Sequence, residues 1–451
     1  MKRRVAAPRD AAHSAPAGSG GSFTRREALL AAAALAWVPA GARRGRRGGL
    51  DVCTFTDRCT EYDRLVWPSD LPEDCPLERS TVLRGMAFTG RWANYTQCDY
   101  WYPTWAADGH LYSGCGDGLL CGRQISNAGI ARIAGDDPLN LEFGYLGSFN
   151  VKAGSAYICT SLAKGGVWHL GIEEGWNALS AEGVARFGGF LRGAPGSPAG
   201  ELGFPPGDHP RWKDRTRHPL RDATPRARKT GGFFGEPEGR TRTRNPHFVD
   251  FGQEMRHSPD GLAYLLCHGC EGEKPAEWGN GDSVYLMRVA PEARSLDDPR
   301  RWEFYAGRNA AGTPVWSRKP ADLRPILTWP GRLGLAHAVY HPALRRYLLC
   351  VSPLLVADTW TAEQKPEKRW HAEGALLLEA QDLTGPWRVA QYLAGFGPDA
   401  YCLCLPSKFL HADGVRAWLL CSANWTQPQH PGNPRGMRYA AHFREVELLT
   451  A

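Results

Sequence analysis

The chain of 451 residues has no apolar run long enough to anchor it in a membrane. The run from Ala28 to Val38 falls well short of the roughly 20 residues that a spanning helix needs, so no stable membrane anchor is expected. Heptads and sustained amphipathic patterns are also missing, which argues against coiled coils and long helices. No group of Cys and His has zinc-type spacing. Cys402-Leu403-Cys404 alternates as a strand does, so neither a metal nor any other cofactor is expected. A surplus of one charge is lacking as well. Six of the 54 basic residues and two of the 47 acidic ones lie before Arg43, and without them the formal net charge falls from +7 to +3. The remainder gives no electrostatic reason to expect nucleic acid as a partner.

What the chain does have is 52 Gly, 34 Pro and 17 Trp, the marks of many tight turns and aromatic-anchored strands. A phrase also recurs. Asp108-Gly109-His110-Leu111-Tyr112-Ser113-Gly114-Cys115 returns as Asp260-Gly261-Leu262-Ala263-Tyr264-Leu265-Leu266-Cys267. It returns again as Tyr347-Leu348-Leu349-Cys350 after His341-Pro342, and as Trp418-Leu419-Leu420-Cys421 after Asp413-Gly414. A weaker copy is Lys164-Gly165-Gly166-Val167-Trp168-His169-Leu170-Gly171. Each copy is a hairpin turn entering a buried strand, and one such unit cannot bury its face alone. Five copies imply an all-β fold, a five-bladed β-propeller.

The expected organisation has three parts. Residues 1–42 carry Arg25-Arg26, the apolar run and Ala40-Gly41-Ala42, which together resemble a twin-arginine signal peptide with its cleavage site. That motif implies the twin-arginine translocase as a transient partner and a periplasmic or extracellular location. Residues 43–79 read as a basic tail and a polar segment, in which Cys53, Cys59 and Cys75 could form one disulfide after export. Residues 80–451 form the propeller, with Ser80 to Trp92 supplying an outer strand that closes the ring. Within it, Gly188 to Arg244 reads as a Gly/Pro/Arg-rich surface insertion, too poor in apolar residues to build core. Cys267, Cys350 and Cys421 share one strand position and read as small buried hydrophobes.

Function in a propeller sits where polar and aromatic residues enter or leave the inner strands. The first blade is the richest, with Asp99 and Asp117 bracketing a hairpin that turns at Asp108-Gly109. Because a hairpin returns on itself, the two carboxylates should meet at its open end. Paired carboxylates suit glycoside hydrolysis, one protonated to assist the leaving oxygen and one ionised to attack carbon or activate water. Trp101, Tyr102 and Trp105 would form a stacking wall for sugar. His247 and Asp250 would support the channel, and His337, Tyr401, Lys408 and Asn424 would meet sugar hydroxyls. The competing reading is architectural: Asp99 caps a turn, Asp117-Gly118 is a turn, and the tryptophans pack between blades. For Asp108, Asp260 and Asp413, which recur in Asp-Gly turns, the architectural reading holds outright.

The stretches DYWYPTWAADGHLYSGCGDG, NPHFVDFGQEMRHSPDG, DLTGPW and FGPDAYCLCLPSKFLHADGVRAWLLCSAN resemble a group of exported bacterial five-bladed propellers. These are similar in plan to arabinanase and β-xylosidase-type glycosidases. The Asp before the first hairpin and the Gly-Asp after it resemble the endo-D-arabinanase type, which implies Asp99 and Asp117 as the catalytic pair. Arabinanase-type enzymes instead spread three acids over three blades. Ala156-Tyr157-Ile158-Cys159-Thr160 lacks the Asp that plan requires in the second blade. The resemblance thus implies a glycoside hydrolase acting on an arabinan-like or related polysaccharide or oligosaccharide. The alternatives are a carbohydrate-binding propeller without catalysis and a scaffold for protein partners.

Overall fold

Successive stretches of the chain fold into successive antiparallel sheets. The computed structural model describes residues 44–451 except 126–127, 150–155, 175–185, 204–231, 237–240, 272–275, 277, 354, 357–369, 372–373, 395, 397–399 and 424–435. The leader, the middle of the basic insertion and Asn424 therefore lie outside the described residues. The first sheet is built on Leu111–Leu120, with Gln97–Asp99, Gly129–Ala134 and Glu142–Ser148. Ala156–Lys164, Val167–Glu174 and Arg186–Gly193 make the second. Thr241–Phe248, Ala263–Cys270 and Gly281–Val289 lead the third. His337–His341, Arg346–Val351, Gly374–Ala380 and Arg388–Ala394 make the fourth. In the last, Ala400–Cys404, Arg416–Ala423 and Ala441–Thr450 are joined by Leu83–Tyr95 from the other end of the chain.

Successive sheets bond to one another in sequence order. Thr104 Oγ1 accepts from Ala163 N at 3.0 Å, and Thr160 Oγ1 accepts from Phe248 N at 2.8 Å. Tyr340 N donates to Asp250 O at 2.9 Å, and Leu403 N donates to Ser352 Oγ at 3.4 Å. The cycle returns to the first sheet where the Tyr401 hydroxyl donates to Asp99 Oδ2. The arrangement is all-β and propeller-like.

The repeated phrase marks equivalent places in this frame. Tyr112, Trp168, Tyr264 and Tyr347 are each the second residue of a strand, and Trp418 is the third. All five are buried. The Asp-Gly turns are architectural, as their recurrence implies. Asp108 accepts from His110 N at 3.0 Å and from the Tyr112 hydroxyl at 2.6 Å. Asp260 repeats both bonds with Leu262 N at 3.1 Å and the Tyr264 hydroxyl at 2.7 Å.

Three expectations change. Residues 43–79 are not a mere tail, because Leu50–Cys53 pairs with Glu142–Ser148 and Phe55–Cys59 pairs with Leu83–Tyr95. The disulfide joins Cys53 to Cys121 across 68 residues, whereas Cys59 and Cys75 are free. The strand Leu50–Cys53 carries Cys53 to the end of Leu111–Leu120, a long-range pairing that no local pattern announces. The basic insertion does supply core: its Phe190, Phe233 and Phe234 pack with Phe187, the residue just before it, and Trp302 stacks on Phe190 at 6.1 Å. Its average composition hid three clustered phenylalanines.

The disulfide closes a long loop, so it should stabilise the fold by about 2–4 kcal/mol. Cys53→Ser, or reduction of the wild type, is expected to lower the urea midpoint accordingly. A midpoint indifferent to both would show that the link contributes nothing.

Candidate active site

The hairpin register brings the two predicted aspartates together. Thr104 pairs with Tyr112 near the Asp108-Gly109 turn, and Asp99 pairs with Gly116 at the other end. A bulge lies between Gln97 and Asp99, and bulges re-aim the side chains that follow them. Gly116 matters sterically, since a Cβ there would sit 3.0 Å from Asp99 Oδ1. Asp117 takes a left-handed φ of 35°, and Gly118 follows with a φ of 105°. For a residue with a side chain that conformation is strained, and such strain concentrates at functional sites.

Three tyrosines enclose the pair. Tyr401 and Tyr439 both donate to the Asp99 carboxyl. The Tyr439 hydroxyl also lies 3.3 Å from the Asp117 carbonyl oxygen, so this one side chain spans both aspartates. Tyr157 donates to Asp117 Oδ2 at 3.3 Å. Asp99 is 8% exposed, and its carboxyl is held well above the usual range, first by burial and then by the charge of Asp117. The two tyrosine hydroxyls oppose that shift without reversing it. The Asp117 side chain is open to solvent although protein surrounds it, and burial raises it to about 6. On Asp99 the charge of Asp117 adds to burial, whereas on Asp117 burial acts alone, opposed by the Tyr157 hydroxyl.

Two carboxyls that repel each other in one aromatic pocket retain a proton at pH values where an isolated pair would be fully ionised. That is the state which acid–base chemistry on a sugar bond requires. Among the described residues no Lys or Arg bonds to either carboxyl, and no cluster of His, Cys, Asp and Glu fits a metal ion.

The other predicted residues are placed differently. Trp101 is 1% exposed, donates its Nε1 hydrogen to Cys98 O at 2.8 Å and packs edge-on against Phe143, so its ring offers no face to a ligand. Tyr102 is buried and tilted over His247, 3.7 Å between ring centroids, with His337 stacked on its ring at 5.4 Å. Burial lowers both histidines, His337 to about 3, so they are neutral. Trp105 lies near the turn, under the Arg256 guanidinium at 5.1 Å. Asp250 spends its carboxylate on backbone, accepting from Ser407 N at 2.8 Å and Gly252 N at 2.9 Å. Lys408 Nζ donates to Gly109 O at 2.6 Å and Gly135 O at 2.7 Å, and pairs with Asp136 at 2.9 Å. It therefore ties the turn end of the hairpin, away from the aspartates. Of the predicted partners among the described residues, only Tyr401 bonds to the pair.

Several residues at the site carried no sequence signal. Tyr157 and Tyr439 are single tyrosines in ordinary strand and loop contexts. Trp278 approaches Tyr100 at 5.8 Å and Tyr401 at 6.0 Å. Asn245 binds the Tyr100 hydroxyl through Oδ1, and its Nδ2 donates to the Trp278 carbonyl. Behind Asn245, Glu173 pairs with Arg244 at 3.2 Å, both buried, and accepts from Asn245 N at 3.2 Å.

No family model matches the chain, and no curated protein does. Solved structures are similar at low identity. A putative hydrolase from Bacteroides ovatus is 11% identical, with a TM-score of 0.44, 84% of this chain covered and 96% of that one. The GH43_1 enzyme from Xanthomonas citri, complexed with xylotriose, is 12% identical, with a TM-score of 0.40 and coverages of 79% and 90%. The α-L-arabinofuranosidase PaAbf62A from Podospora anserina, in complex with cellotriose, is 8% identical, with a TM-score of 0.37 and coverages of 86% and 97%. No correspondence of site residues follows at such identities.

Proposed function

We propose that this protein is an exported five-bladed propeller that hydrolyses glycosidic bonds in an arabinan-like or related polysaccharide, with Asp99 and Asp117 as its carboxylate pair. The observation that carries this reading is the placing of both aspartates at one end of one hairpin, bridged by Tyr439, where burial raises each carboxyl. The five-blade count is supported by the cycle of bonds between successive sheets, and by the five anchor aromatics near the starts of their strands. Export through the twin-arginine translocase, to the periplasm or outside the cell, rests on Arg25-Arg26 and the short apolar run after it.

The chemistry follows from the environments. The carboxyl that keeps its proton assists departure of the leaving oxygen, while the ionised one attacks the anomeric carbon or activates water. Asp117, reached by solvent, meets the substrate first. Asp99, fixed by two hydroxyls, acts from beneath. A carbohydrate-binding propeller without catalysis is the second reading, favoured by the slight exposure of Asp99 and the hydroxyls that already occupy it. Reducing-sugar release by the purified protein across a polysaccharide panel separates the two. Release from one or more polymers supports hydrolysis, whereas binding without release supports the second reading.

A further inference from the structure

We infer that Trp278 is the stacking platform of this site and that the sugar ring it receives carries no acid group. The inference rests on the carbohydrate reading above and gives it a substrate class. Tyr100 and Tyr401 pack against the Trp278 ring but are only 2% exposed themselves, whereas Trp278 is half-buried. Of this aromatic group, it is the member that solvent reaches. An indole offers a broad apolar face at little conformational cost, which suits the C–H face of a sugar ring. Its backbone is pinned as well, because its carbonyl accepts from Asn245 Nδ2 while Asn245 Oδ1 accepts from the Tyr100 hydroxyl. Tyr401 in turn bonds Asp99. The platform and the carboxyl pair are thus parts of one connected unit, as a site must be that holds a ring beside its reacting bond.

The charge pattern sets the sugar class. A uronate would bring a carboxylate towards Asp99 and Asp117, and among the described residues no Lys or Arg bonds to that pair. Among the described residues, two cations adjoining this unit in the chain are already engaged. Arg244 pairs with Glu173, and Arg438, next to Tyr439, pairs with Asp57 at 3.2 Å. Like charges brought together without a counter-ion oppose binding, so the site discriminates against acidic sugars.

The test is calorimetric binding of neutral arabino- and xylo-oligosaccharides and of oligogalacturonate to Asp99→Asn, which retains the site but not its turnover. At least one neutral ligand should bind, and oligogalacturonate at least about tenfold more weakly, the scale of one unfavourable charge contact. Trp278→Ala on that background should weaken the neutral ligand about tenfold, the upper range for an aromatic stacking contact. Trp278→Phe should restore most of the loss, and equal melting temperatures will show that the variants are folded. Unchanged affinity in Trp278→Ala overturns the platform, and equal or tighter oligogalacturonate binding overturns the neutral class. Absence of binding by every neutral ligand overturns both. Hydrolysis of a polymer by the wild type, scored separately, decides the catalytic reading whichever way these results fall.

Discussion

Asp99→Asn and Asp117→Asn are each expected to lower hydrolysis at least about a hundredfold, the lower end of what general acid–base assistance contributes. Asparagine keeps the shape and some of the hydrogen bonds but can neither hold nor release the proton. The control is Asp260→Asn, whose aspartate binds Leu262 N and the Tyr264 hydroxyl in a turn and should leave turnover nearly intact. The pH profile adds an independent check. With Asp117 raised to about 6, the wild-type rate should show a limb near that value, reported as a property of the coupled pair, and Asp117→Asn should abolish the limb. Wild-type turnover in both variants, on a polymer that the wild type cleaves, would remove the catalytic assignment.

Stability should respond in the opposite sense to activity. Both carboxyls titrate higher in the folded protein than in the unfolded chain. The native state therefore binds their protons more tightly, and the stability this gives is present below the unfolded value and lost as pH rises through the folded one. Asparagine removes the cost of burying the charge. At pH 8 either variant should melt no lower than the wild type, and the advantage should shrink towards pH 4. A variant that melts lower at pH 8 would mean that the charged carboxylates contribute to the fold. Solvent around Asp117 reduces its share, so Asp99→Asn should show the larger effect.

How far the sequence reaches can be seen from particular residues. Tyr112, Trp168, Tyr264, Tyr347 and Trp418 were readable because turn, aromatic and apolar run are local signals that repeat. Asp99 and Asp117 were readable as neighbours because hairpin geometry follows from a single turn. Trp101 was misread because composition marks an aromatic without telling which way it faces, and this one turns into the core against Phe143. Lys408 and Asp250 were misread because their partners are backbone groups of distant segments, which carry no side-chain signature. Tyr157, Trp278 and Tyr439 reach the site only through packing between sheets. The same holds for Cys53, whose partner was set by the strand pairing of Leu50–Cys53 and not by proximity in the chain.

The buried pair of Glu173 and Arg244 is where removal of one side chain should damage the fold most. Their side chains are 3% and 6% exposed and stand 3.2 Å apart, and Glu173 also holds the Asn245 N–H. Burial raises the Glu173 carboxyl, and the Arg244 charge opposes that rise without cancelling it. Glu173→Gln strands a guanidinium in the interior and should cost about 3–5 kcal/mol, read as a lower urea midpoint. Arg244→Met strands the carboxylate, which can escape by taking a proton, so it should cost less, and the loss should ease as pH falls. The double variant Glu173→Leu/Arg244→Met should recover much of the loss, because two apolar groups leave no charge unpaired. Additive single and double effects would show that the residues do not act as a pair. Recovery of stability should not bring back function, however. Asn245 keeps a left-handed φ of 42° and links Tyr100 to Trp278, and without the Glu173 acceptor its N–H loses its anchor. The restabilised double variant should therefore fold well while binding sugar more weakly than the wild type, which separates the part of this network that holds the strands together from the part that aims the site.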